Sequence, residues 1–242
     1  MYKRIIGLVL LDGKTFCRTR NFVTDYHYTN RFIDSRLFDE LVFLNVSSNS
    51  KNRDLPEFAR GIEEIIKDSQ LPISIGGGIK GFNEIELFRS FGADRYVINQ
   101  TSKDVDPLVS ALLKKYGKSS IISSINHYGL FTASKEGVSS IKLSDRLKEI
   151  RDNCGGDILL NSIERDGTLR GLDLETSDEL AELMDVSYLL SGGLGNVEHL
   201  HGALQRTNVV GVCTSNVYHL TTDTISYWRS NLLSHGLRVR RI

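Results

Sequence analysis

Two glycine turns carry the first chemical signal in this chain. Gly76-Gly77-Gly78-Ile79-Lys80 follows the apolar run Ile73-Ser74-Ile75, and Gly192-Gly193-Leu194-Gly195-Asn196 follows Leu189-Leu190-Ser191. Glycine lets backbone N–H groups approach an anion, and the helix toward which each turn opens adds the positive end of its dipole. A further apolar run follows each turn and closes on amide and hydroxyl groups, Asn99-Gln100 in one case and Ser215-Asn216 in the other. Two such sites suit a ligand with a phosphate at either end. They make Gly78, Asn99, Gln100, Gly193, Ser215 and Asn216 candidate phosphate-binding residues. The competing reading is that these glycines only supply the positive φ of tight turns.

The two turns are part of a longer repeat. Asn45, closing Leu41-Val42-Phe43-Leu44, returns as Asn161 after Ile158-Leu159-Leu160, and Tyr96-Val97-Ile98-Asn99 returns as Val212-Cys213-Thr214-Ser215, all at one offset. Eight strand-like runs are present: Arg4–Leu11, Glu40–Val46, Pro72–Gly77, Arg95–Gln100, Ser119–Asn126, Asp157–Ile163, Tyr188–Gly192 and Val209–Ser215. They are continuously apolar, as parallel strands covered on both faces are. Helical patterns lie between most of them, clearest at Pro56–Lys67, where Phe58, Ile62, Ile65 and Ile66 form one stripe. Others cover Phe82–Phe91, Val105–Lys115, Leu143–Asn153, Thr176–Met184 and Val197–Leu204.

Alternation at this rhythm, repeated twice, predicts a closed α/β barrel of the (β/α)8 TIM type rather than an open sheet. Residues 1–242 then form one domain, with half-barrels of approximately 1–117 and 118–242. Lys14–Asn30 and His127–Lys142 break the rhythm just after strand ends, where such barrels place their sites. They read either as lids or as surface loops, and Tyr26, His27, Tyr28 and His127 within them either touch a ligand or face solvent.

Composition excludes several classes. The 30 basic and 30 acidic residues cancel, so no electrostatic nucleic-acid footprint exists. No apolar stretch is long enough to span a bilayer, and the expected location is cytoplasmic. Cys17, Cys154 and Cys213 and the six scattered histidines lack metal spacing, so neither a metal nor a cofactor is expected.

Lys3-Arg4-Ile5-Ile6, Asp39-Glu40-Leu41-Val42-Phe43-Leu44, Gly76-Gly77-Gly78-Ile79, Gly92-Ala93-Asp94, Ile158-Leu159-Leu160 with Arg165-Asp166-Gly167-Thr168, and Ser191-Gly192-Gly193 occur in this order along essentially the whole chain. Together they resemble the cyclase subunit family of imidazole glycerol phosphate synthase. The resemblance implies a barrel that takes ammonia from a glutaminase docked under its bottom face and uses it at the top. It adds Asp166 and Gly167 to the phosphate-binding set and turns Asp94 toward the glutaminase.

The resemblance also implies two aspartates, general acid and base, at the ends of the first and fifth strands. Those positions hold Leu10 and Asn126. Leucine moves no proton, and an amide cannot act as a carboxylate base. Asp12, Asp166 and His127 are the available substitutes. Asn45 stands at a family aspartate position, and Asn161 and Gln100 at family threonines. The family's ammonia gate, a ring of four charges at strand starts, is kept in sign at Arg4, Glu40, Arg95 and Asp157. Counting by twos from Arg4 runs through Ile6 and Leu8 to Leu10, about 20 Å along one strand face.

Keeping the path while losing the acid and base points to a barrel that delivers ammonia to other chemistry. In this the chain resembles the divergent paralogue branch of the family associated with glutamine-dependent amidation of bacterial surface sugars. That resemblance implies a subunit of a glutamine amidotransferase serving amidation of a surface-polysaccharide or flagellar sugar, with Leu10 and Leu11 fitting an apolar mouth. Its expected partners are a glutaminase, a separate sugar-amidating enzyme and a phosphorylated small molecule. The alternatives are the imidazole-forming cyclase-lyase itself and a non-catalytic phosphosugar-binding scaffold.

Overall fold

The computed structural model describes residues 2–28, 34–47, 54–134, 136–153, 156–215, 217 and 225–242. Among these residues twelve strands form one sheet: β1 (Arg4–Asp12), β2 (Thr15–Arg20), β3 (Val23–Tyr28), β4 (Glu40–Asn45), β5 (Ile73–Gly76), β6 (Arg95–Asn99), β7 (Ile121–Tyr128), β8 (Phe131–Ser134), β9 (Gly137–Lys142), β10 (Asp157–Ser162), β11 (Tyr188–Ser191) and β12 (Val209–Thr214). Eight of them pair in parallel in the order β1-β4-β5-β6-β7-β10-β11-β12, and β12 pairs with β1 to close a barrel. The expected (β/α)8 barrel is thus the fold.

Seven helices are described: α1 (Leu55–Asp68), α2 (Phe82–Ser90), α3 (Asp106–Tyr116), α4 (Leu143–Asn153), α5 (Leu174–Leu183), α6 (Val197–Leu204) and α7 (Ile225–Ser234). The first shows why the chain turns helical where it does. Asp54 accepts from the Glu57 N–H at 2.9 Å, Pro56 occupies the first turn, and the stripe buries Phe58 and Ile62 completely. Phe58 meets Phe88 of α2 edge to face at 5.9 Å.

The two segments that break the rhythm are antiparallel hairpins. β2 pairs with the end of β1 and with β3, while β8 pairs with the end of β7 and with β9. Each half of the barrel therefore opens with a strand that runs on into a hairpin, which is the two-fold repeat in structural form.

Strand parity divides the core. Ile5, Val9, Leu11, Leu41 and Phe43 point out against the helices. Ile6, Leu8, Leu10, Val42, Val97, Ile122, Leu159, Leu189, Val210 and Cys213 fill the lumen. Leu11, expected beside Leu10 at an apolar mouth, instead packs under the helices, because successive residues of a strand face opposite ways. No helix among the described residues is long and apolar enough to cross a membrane, and no group of three or more metal-ligating side chains is placed to share an ion among them. Cys17 and Cys213 are buried; Cys154 lies outside the described residues.

Candidate functional site

At the N-terminal end of the strands four side chains form a closed ring. Arg4 Nη1 lies 2.8 Å from Asp157 and 3.5 Å from Glu40, and Arg95 lies 2.7 Å from Asp157 and 3.1 Å from Glu40. Signs alternate around the ring, so each charge meets two of the opposite kind. Glu40 is 3% exposed, and the Ser74 hydroxyl donates to its Oε1 at 2.7 Å. Burial pushes the Asp157 carboxyl up, but its hydrogen bond to Arg4 and the charges of Arg4 and Arg95 outweigh this and hold it below the ordinary carboxylate value. Asp94 lies at the same end, exposed, its carboxylate accepting from the Ile73 N–H at 2.8 Å.

Above the ring the lumen is apolar up to its mouth, where a cavity of about 370 Å³ opens. Leu10, Gly78, Asn99, Asn126, Asn161 and Asp166 all line it, with Thr19, Phe22, Asn45, Ser124 and Lys80. A smaller cavity of about 40 Å³ adjoins it through Leu8 and Asp166 and is lined by Gly167, Gly193 and Ser215. The two glycine turns thus flank one mouth, one per half-barrel. Both have left-handed backbone, with φ of +93° at Gly77 and +93° at Gly193, and the space for a side chain is taken in each case. A Cβ on Gly77 would stand 2.2 Å from the Asn45 carbonyl oxygen. Gly77→Ala is therefore expected to cost about 3 kcal/mol, read as a lower urea midpoint at unchanged slope.

Asp166 connects the two cavities and anchors the first hairpin. Its Oδ2 accepts from the Phe22 N–H at 2.9 Å, and its carbonyl accepts from the Asn21 N–H at 3.1 Å. Burial pushes its carboxyl pKa up, and the hydrogen bonds from Phe22 and Thr19 offset this only in part. Asn21 and Phe22 form the hairpin tip with φ of +50° and +63°. Such a backbone is uncommon for phenylalanine and persists because the surroundings fix it. The sequence reading missed Phe22 and Thr19 as lining residues. The available signal was Asn21 between the alternating runs Thr15–Arg20 and Val23–Tyr28, a hairpin pattern.

Other expected residues are placed elsewhere. Gln100 is 1% exposed, and its side-chain amide donates to Asp106 at 3.2 Å while its main-chain carbonyl accepts from Arg146 Nε at 2.7 Å. It faces α3 and α4 and does not line the cavity, because it is one residue out of phase with Asn99. Asp12 lies beyond the rim, 3.8 Å from His27, and lines neither cavity. His127 is buried against the second hairpin, with Nδ1 3.1 Å from the Gly129 carbonyl; burial lowers its pKa, and it too is outside both cavities. Tyr26 is 60% exposed. Asn216 lies outside the described residues.

Among the described residues, what remains at the mouth is one carboxyl, Asp166, one exposed ammonium, Lys80, and neutral amides. Asn126 and Asn161 are register partners on β7 and β10, with Asn161 Nδ2 3.5 Å from Asn126 Oδ1. Asn45 Oδ1 accepts from the Ser47 N–H at 3.1 Å, and its Nδ2 finds no partner among the described residues. The described residues of such a mouth can bind and orient a ligand, but among them there are no paired groups to pass a proton from one side to the other.

Residues 8–224 match the family described as "Histidine biosynthesis protein". The chain is 30% identical over 215 residues to a protein of Buchnera aphidicola named imidazole glycerol phosphate synthase subunit HisF, covering 84% of this chain and 82% of that one. It is 27% identical to proteins of the same name from Streptococcus mutans, over 84% of this chain and 82% of the relative, and from Chlorobium chlorochromatii, over 87% and 85%.

Proposed function

The chain belongs to the histidine biosynthesis protein family, and from that premise we propose that it is the barrel subunit of a glutamine amidotransferase. In this reading a partner glutaminase docks at the charged end, around Asp94, and releases ammonia that passes the ring of Arg4, Glu40, Arg95 and Asp157. The acceptor is a sugar destined for a surface polysaccharide or flagellum, amidated with a separate enzyme rather than cyclised, and the setting is the cytoplasm. The observation that carries the reading is the contrast within one lumen: a complete charge ring at one end and Leu10 and Asn126 at the other.

The physical argument is one of solvation. Neutral ammonia crosses an apolar lumen at little cost, whereas ammonium would forfeit its hydration. The ring closes the bottom by ion pairs that can exchange partners, and burial keeps the Cys213 thiol just above it protonated. No described lumen residue between ring and mouth then offers a charge to trap the solute.

The cyclase-lyase of histidine synthesis is the second reading, favoured by the names of the relatives and by Asp166, whose raised carboxyl lies between the two cavities. The deciding measurement is glutamine hydrolysis by the cognate glutaminase with and without this barrel. Stimulation by the barrel, lost with Arg95→Ala and accompanied by no imidazole product, is the expected result. Stimulation with imidazole product selects the second reading, and no stimulation leaves a phosphosugar-binding scaffold.

A further inference from the structure

The mouth cavity has two unlike walls that face each other. In the closed barrel order β7 stands opposite β1, and β10 opposite β4. Leu10 and Leu44 are register partners on the first pair of neighbouring strands, β1 and β4, and both line the cavity. Asn126 and Asn161 are register partners on the facing pair, β7 and β10, and line it too. Asn99 extends the amide wall onto β6, its Oδ1 taken up by the Thr101 N–H at 2.9 Å so that its N–H groups are left for a ligand.

We infer that this cavity takes a six-membered sugar ring, its hydroxyls on Asn99, Asn126 and Asn161 and its C–H groups on Leu10 and Leu44. An amide both donates and accepts, as a sugar hydroxyl does, so neighbouring amides can hold vicinal hydroxyls without any change of protonation. A pyranose also has a C–H face that gains from leaving water, and leucine supplies the matching surface. The volume is in the range of small-ligand sites. The inference rests on the sugar-amidation reading and goes beyond it, because it places the acceptor in this barrel and not only on the amidating enzyme.

The test is calorimetric titration of the full chain with glucose 6-phosphate, ribose 5-phosphate and glycerol 3-phosphate, which share a phosphate and differ in the ring. Glucose 6-phosphate is expected to bind at least tenfold more tightly than the other two. Asn161→Leu should bring it down to the level of glycerol 3-phosphate without changing the affinity for glycerol 3-phosphate itself. Equal affinity for all three, tighter binding of ribose 5-phosphate, or an unchanged Asn161→Leu would overturn the inference. The comparison of ligands on the unaltered chain stands even if the variant misfolds. It also needs no glutaminase, so its failure is separate from a failure of glutaminase stimulation.

Discussion

Glu40→Gln is expected to destabilise the barrel by about 3 kcal/mol, because it breaks a buried ion-pair network from its most buried member. Glu40 takes both arginines and the Ser74 hydroxyl. Glutamine fills the same volume, but its NH2 group would face arginine N–H groups, donor against donor, and Arg4 and Arg95 would share Asp157 alone. The double variant Glu40→Leu with Arg95→Leu removes one charge of each sign and leaves the Arg4–Asp157 pair at 2.8 Å. It should be more stable than Glu40→Gln although two residues have changed, since a neutral apolar replacement escapes the cost of an uncompensated charge. Urea unfolding at pH 7 reads both. Equal losses in the two variants would mean that packing rather than charge balance matters at this end.

Acid sharpens the same experiment. Asp157 has a folded-state pKa below its unfolded value. Its contribution to stability is therefore present above the ordinary carboxylate pKa and is lost as pH falls through the lower, folded one. If the double variant regains stability yet no longer stimulates the glutaminase, the ring is kept for passage and not for the fold.

The barrel was legible because its strands are apolar on both faces and its helices carry stripes at helical spacing; Leu143–Asn153 and Val197–Leu204 coincide with α4 and α6. The inward side of each strand was legible by parity, which links Arg4 to Leu10 and Asp157 to Asn161. Parity also shows why Gln100 does not line the cavity: Arg95, Val97 and Asn99 share the inner face, and Gln100 falls on the other. The hairpins were harder to read. Val23, Tyr26, Tyr128, Phe131 and Val138 are large apolar residues on exposed ribbon positions, so their burial pattern does not resemble that of a half-buried strand. The helix α7 went unforeseen because its buried Arg229, held by Asp39 and the Leu37 carbonyl, interrupts the apolar stripe of Ile225, Trp228 and Leu232.

Given ammonium salt and the phosphoribosyl substrate of the imidazole-forming reaction, the barrel alone is expected to turn over at least about 10⁴-fold more slowly than an enzyme of this family with both aspartates. The figure follows from losing two acid–base groups, each worth about 10²- to 10⁴-fold. Leu10 is 5% exposed within the apolar lumen cluster, and Asn126 has only an amide to offer. Asp166 cannot serve as both partners, since one carboxyl cannot stand on two sides of the ligand. Leu10→Asp would place a carboxyl in apolar surroundings, where its pKa rises toward that of a useful general acid. Leu10→Asp combined with Asn126→Asp is therefore expected to raise product formation at least about 100-fold over the natural chain, while Leu10→Asp alone gives little, because ring formation needs a base facing the acid. Substantial imidazole formation by the unaltered chain would place the proton-transfer groups elsewhere and return the protein to histidine synthesis. A double variant that folds, binds the substrate and stays inactive would show that the mouth has been reshaped beyond these two positions, with Asn45 and Asn161 the next to revert.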